Sequence, residues 1–212
     1  MCGFFGCIDG DVEVAERMAN LVHRGPDSTN DYRDANLFVR HFRLMILGNE
    51  SDGMQPMVSF NKDVVVAFNG EIYNYRELAV EMGRPELIEF GDTRVLTEFL
   101  ALYGVSRMSS LNGMFSLVLH FRSNEKTYLI RDRFGIKPLF YRKIKDSIYF
   151  ASEIKSLKSV SPARLHQDRI RCYLDHGLYP QGEETFYQEI KQVSAGSWLC
   201  YENERQTQQS YY

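Results

Sequence analysis

The chain has 212 residues, 44% of them hydrophobic and 25% charged, with a formal net charge of -3. That length carries one large domain or two small ones with a full core, and the 13% aromatic content excludes a disordered chain and suits β-rich packing. The charge balance leaves no nucleic-acid footprint, no apolar run approaches the ~20 residues of a membrane span, and no signal peptide opens the chain.

Four cysteines, Cys2, Cys7, Cys172 and Cys200, form no CxxC pair and no zinc spacing. They are expected to be free thiols, metal is not expected, and the reading is of a cytoplasmic protein.

Cys2 is the first residue of note. Once the initiator methionine is removed, its thiol and a free α-amine share one residue. Their reference pKa values are about 8.5 and about 7.7–8.0. That is a nucleophile with its own base attached. Gly3 leaves room for a substrate, and Phe4, Phe5 and Ile8 predict a buried strand behind it. The bland alternative is that Cys2 merely follows the start codon.

Residues 11–21 carry Val12, Ala15 and Ala19 at helical spacing and predict a short amphipathic helix. His23-Arg24-Gly25-Pro26-Asp27-Ser28 then breaks it as a loop, either ordinary surface or part of a site. Residues 37–47 read as one or two strands. Arg43, entering that apolar stretch, needs an anion or a way out to water. A carboxylate ligand would satisfy it in a bidentate pair.

Residues 64–68 predict a buried strand that runs into Asn69-Gly70-Glu71-Ile72-Tyr73-Asn74. Asn-Gly at a strand end ordinarily makes a turn. The alternative is an oxyanion hole, from the Asn69 amide and the Gly70 N–H. Asn74 is placed to cap a helix over 75–82, and Asp92 to cap the clearest helix of the chain. There Val95, Phe99 and Leu102 form one apolar row, Leu96, Leu100 and Tyr103 a second, and Gly104 closes it. A charged Asp92 facing a pocket can also hold a substrate ammonium.

Residues 111–121 alternate, 122–125 make a hairpin turn, and 127–130 return. Further strands are expected at 139–141 and 148–151. Short connections make these strands antiparallel, and the helices between them give an α+β class. A short helix at 169–176 and a strand pair at 198–201 and 207–212 complete the reading.

Taken together, Cys2-Gly3, His23-Arg24-Gly25-Pro26-Asp27, Arg43-Leu44, Asn69-Gly70-Glu71-Ile72-Tyr73-Asn74, Gly91-Asp92, Asn112-Gly113-Met114-Phe115, the run from Arg131 to Tyr141, and Ala151-Ser152-Glu153-Ile154-Lys155 resemble one family. It is the class II glutamine amidotransferase (glutaminase) domain of asparagine synthetase-like proteins. The resemblance covers residue 2 to about residue 160 and weakens beyond. It implies an N-terminal nucleophile hydrolase fold, an αββα sandwich of two antiparallel sheets, as a single domain over 2–212.

The resemblance also implies roles. Cys2 attacks the side-chain amide of L-glutamine, and its α-amine relays the proton to ammonia. Asn69 and Gly70 stabilise the oxyanion. Arg43 pairs with the substrate carboxylate and Asp92 with its ammonium. Glu71 and the backbone of Leu44, Met45, Ile46 and Leu47 line the remainder. Met45 and Gly48 depart from the family's usual loop, and Arg94 stands where a glutamate is common. No cofactor is expected in this domain. ATP and magnesium belong to a synthetase domain whose Ser-Gly-Gly-x-Asp-Ser motif this sequence lacks. Ammonia would pass to such a domain or to a partner chain. The acceptor and homo-oligomerisation stay open. So do two alternatives: a non-catalytic interaction domain, and a glutaminase of another class II amidotransferase.

Overall fold

The computed structural model describes residues 1–45, 53–203 and 205–212. Twelve strands form two six-stranded sheets in those residues. The first runs in the order β10-β8-β9-β1-β3-β2, from Lys191–Gln192, Phe140–Ile144, Ser147–Ala151, Gly3–Ile8, Leu37–Arg43 and Ser28–Arg33. The second runs β12-β11-β7-β6-β5-β4, from Arg205–Ser210, Ser197–Glu202, Lys126–Arg131, Gly113–Phe121, Val64–Ile72 and Met57–Val58. The pairings are antiparallel throughout.

Period-two alternation explains the layering. Phe4, Ile8, Leu37 and Val39 of the first sheet meet Ala67, Val118, Leu129 and Leu199 of the second in a core between the sheets. The alternate residues face outwards under helices. Phe5, Cys7, Phe38 and Phe42 pack with Ala15 beside α1 (Val12–Glu16) and Leu157 of α4 (Ile154–Val160). Val64, Val66, Phe68, Phe115 and Leu117 pack under α2 (Tyr75–Glu81) and α3 (Gly91–Tyr103). The layers are therefore α, β, β, α.

Several expectations are corrected in detail. The helix expected over 11–21 is only Val12–Glu16, with the Asp11 carboxylate accepting N–H bonds from Glu13 and Val14. Met18 and Leu21 are buried without helix, because the chain turns there to bring residues 23–25 back to β1. Asp92 does not cap α3. The helix begins at Gly91, behind an unexpected 3₁₀ turn at Pro85–Phe90, and the Asp92 carboxylate instead accepts the N–H of Ile72 at 3.1 Å. Asn74 precedes α2, but its side chain binds Ser110 O and Asn112 N rather than the helix. Leu102, placed in an apolar row, is exposed. Asn69-Gly70 makes no turn: β5 runs straight through it to Ile72. The last helix, α5 (Gln167–His176), buries none of its residues.

Candidate active site

The site lies at the N-terminal end of β1. Gly3 pairs with Phe42, so Cys2 comes abreast of Arg43 and shares the inter-sheet face of Phe4. The backbone just after Arg43 receives the thiol: Leu44 N–H donates to Cys2 Sγ at 3.4 Å, and the thiol is 3.6 Å from Leu44 O. Arg24, in the loop before β2, donates from Nε to Cys2 O at 3.0 Å and from Nη1 to Glu153 at 3.0 Å. His23 meets the same carboxylate at 2.8 Å. Burial alone would raise the Glu153 pKa, but the bonds from His23 and Arg24 outweigh it and hold the carboxyl below its ordinary value. The loop thereby carries an ion-paired arginine whose Nε–H grips the carbonyl of Cys2.

β5 supplies the facing wall. Its backbone groups alternate between the β6 side and the opposite edge. Phe68 N–H is taken by Gln55 Oε1 at 2.6 Å and Ile72 N–H by Asp92, both away from β6. Gly70 N–H has the same parity and points to the same edge. β4 pairs only with Val65 and Val66, so it ends before reaching Gly70. A side chain at Gly70 would place its Cβ 2.1 Å from Met114 O, so only glycine lets β6 lie this close. Asn69 is fully buried on the inter-sheet face it shares with Ala67, and its Nδ2 has no partner among the described residues.

Between these walls is a cavity of about 440 Å³, lined by Cys2, Arg43, Leu44, Gly70, Glu71 and Asp92, with Phe68, Tyr73, Tyr75 and Phe90 as aromatic walls. Its size suits a small molecule. Arg43 is buried, with its guanidinium packed where a Cβ on Gly53 would sit. Asp92 bonds Ile72 N–H and Thr93 Oγ1. Burial dominates its titration and, with the charge of Glu71, raises the Asp92 pKa despite those bonds.

The cavity thus brings together six of the expected site residues. Asn69 is not among the lining residues, although its neighbour Gly70 is. Met45 is exposed and lies outside the lining, its N–H held by Asp27 Oδ2 at 2.6 Å. Ile46 and Leu47, together with Gly48, lie outside the described residues. Sequence reasoning missed Glu153 and Gln55 as parts of the site, and left Arg24 as either surface or site. A charged pair in two distant loops has no local signal. Arg94 is structural: it donates to Val58 O and Glu98 and stacks on Phe60, tying α3 to β4.

The four cysteines are free. Among the described residues no group of three or more His, Cys, Asp or Glu is placed to hold a metal, and no helix is long and apolar enough to cross a membrane.

The family model of the glutamine amidotransferase domain matches residues 1–212. Asparagine synthetase [glutamine-hydrolyzing] 1 of Bacillus subtilis (strain 168) is 34% identical over 209 residues, covering 93% of this chain and 33% of that protein. Asparagine synthetase [glutamine-hydrolyzing] 2 of the same organism is 36% identical over 168 residues, covering 75% of this chain and 22% of that protein. The chain therefore spans a third or less of the length of these curated relatives. Among solved structures, the allosteric regulatory enzyme of purine biosynthesis superposes with a TM-score of 0.68 at 17% identity, over 100% of this chain and 49% of that one. Glutamine phosphoribosylpyrophosphate amidotransferase from B. subtilis gives 0.66 at 16%, with the same coverage. These likenesses agree with the αββα layering of an N-terminal nucleophile hydrolase fold, and with the family model they identify the chain as a member of the glutamine amidotransferase domain family.

Proposed function

We propose that this domain hydrolyses L-glutamine to glutamate and ammonia through a thioester on Cys2, and that the ammonia passes to a synthetase domain or partner chain. One observation carries the reading. A single cavity has a half-buried thiol, a buried guanidinium and a half-buried carboxylate on its walls, which is the complement of an amino acid with a reactive side chain.

In this reading the α-carboxylate of glutamine pairs with Arg43 and its α-ammonium with Asp92. The ammonium offsets the burial that raises the Asp92 pKa. Cys2 Sγ attacks the amide carbon while its proton goes to the α-amine of the same residue. Gly70 N–H, between the occupied N–H groups of Phe68 and Ile72, and Asn69 Nδ2, without a partner among the described residues, take the oxyanion. The C–N bond breaks as the amine returns its proton to the departing ammonia. Water then cleaves the thioester, releasing glutamate and the thiol. Glu71 and Leu44 line the remainder of the cavity. The domain needs no cofactor for these steps; ATP and magnesium serve the synthetase that uses the ammonia.

The base requires a free terminus. With Met1 attached, the Cys2 nitrogen is an amide, so the reading depends on excision of Met1, which is exposed. Intact mass before and after treatment with a glutamine-shaped diazoketone tests this directly. The expected result is loss of Met1, one adduct mapped to Cys2, and release of glutamate from glutamine. A processed, folded protein with neither adduct nor turnover overturns the proposal in favour of an interaction-only domain.

A further inference from the structure

His41 is buried completely and has no part in the steps above. It lies on β3 directly opposite Phe4, two residues along β1 from Cys2. With Val39 and Arg43 it faces the space between the sheets. Its Nε2 crosses that space to Phe68 O on β5, 3.1 Å away. A carbonyl only accepts, so Nε2 carries the proton. Burial is the main cause that lowers the His41 pKa to about 4, with the charge of Arg43 adding to it and the Phe68 bond opposing. The ring is thus neutral at neutral pH. Its Nδ1 has no partner among the described residues.

Phe68 is the residue before Asn69-Gly70. Its other backbone group is held too, by Gln55. Both backbone groups of Phe68 are therefore held, one on the peptide before it and one on the peptide after it, and one of the two partners comes from the sheet that carries Cys2. We infer that His41 is a positioning residue: a cross-sheet strut that sets the separation between Cys2 and the oxyanion donors. The inference rests on the glutaminase reading above. Donors that stabilise an oxyanion work only at hydrogen-bond distance from it, and a displacement of about 1 Å can cost about 10²-fold in rate.

The test compares His41→Leu with His41→Gln in processed protein of matched thermal midpoint. Leucine leaves Phe68 O without its donor, while the glutamine amide N–H can reach it. The expected result for His41→Leu is a kcat about 10–100-fold lower with KM within about twofold, because Arg43 and Asp92 are untouched. Alkylation of Cys2 by iodoacetamide, which needs no oxyanion site, stays at the unsubstituted rate. His41→Gln recovers most of the kcat. Should leucine prevent folding, His41→Asn, whose amide is too short to reach, replaces it in the same comparison. Overturning results are a kcat within twofold in the non-donating variant, a matching loss in His41→Gln, or a parallel loss of iodoacetamide reactivity. The two readings fail separately. Absent glutamine turnover in the unsubstituted protein removes the glutaminase reading and the strut with it, whereas normal turnover with an unaffected His41→Leu removes the strut alone.

Discussion

Asp92 shows how the fold changes the titration of a single carboxylate that lines the cavity. Burial raises its pKa, so the folded chain binds a proton there more readily than the unfolded chain does. The consequence has a definite sign. Stability from this group is present at low pH and is lost as pH rises from the ordinary carboxylate range through the raised folded value. Asp92→Asn should remove that fall, leaving the unliganded thermal midpoint at pH 7 no lower than before, while KM for glutamine rises. A lost charge-assisted contact corresponds to a KM increase of about 10–100-fold. Asn69 makes the complementary case. Its Nδ2 is buried with no partner among the described residues, which costs stability, and in the glutaminase reading an incoming oxygen offsets that cost. Asn69→Ala should lower kcat by about 10²–10³ in steady-state turnover, with KM little changed. At this scale Cys2, Arg43 and Asp92 were legible as candidates that share one cavity, because charge and thiol chemistry narrows what such residues do. Arg24 and Glu153 were not, since their pairing joins positions 129 residues apart.

At the scale of elements, strands read well and boundaries poorly. The alternation of 111–121 predicted that Phe115, Leu117, Leu119 and Phe121 of β6 share one face, and the structure packs that face under the helices. Asn69-Gly70 was ambiguous because the dipeptide is a turn signal in isolation. Strand pairing with Met114 and Phe115 decided it, and that contact is set by tertiary structure. The helix over 11–21 failed for a similar reason: its apolar spacing is real, but Met18 and Leu21 reach the core through turns. Arg94 gives an element-level test. Its bond to Glu98 is largely buried and its guanidinium stacks 4.6 Å from the Phe60 ring centroid. Arg94→Ala should therefore loosen α3 from β4 and cost about 1–3 kcal/mol in denaturant unfolding, mostly from the partner left unpaired. KM for glutamine should not change.

Across the whole molecule, two buried histidines pin the sandwich at opposite ends. His41 bridges to β5 near the cavity. His120, on β6, meets Asp34 in the β2–β3 turn at 3.1 Å and Thr127 at 2.8 Å. Burial lowers both histidine pKa values, against the opposing Phe68 bond for His41 and the Asp34 charge for His120. Groups held neutral in the fold contribute stability that is present above the unfolded histidine value near 6.5 and is lost as pH falls below it. For His41, with a folded value of about 4, the loss accumulates to about 3 kcal/mol by pH 4. Thermal midpoints should therefore drop between pH 6.5 and 4, and the drop should shrink in His41→Gln. An unchanged slope in that variant would show that His41 is not the group responsible. The α+β class was legible from short connections and segregated helices. The face-to-face sandwich was implied only by family resemblance, because which sheet packs on which is decided by contacts far apart in sequence.

The backbone direction of β5 has one more consequence. Odd positions turn their amides towards β6 and even positions turn them towards the open edge, so the strand works as a two-letter address. Gln55 and Asp92 already occupy 68 and 72, and between them the amide of 70 points to the same edge with no partner shown among the described residues. In the glutaminase reading, function is therefore locked to a reading frame. Inserting one residue between 64 and 68 would keep every side chain of the site in the sequence, yet it would invert the address, turning the Gly70 amide into the sheet. In this respect the domain resembles a message more than a surface: one added letter can erase its meaning without removing a word.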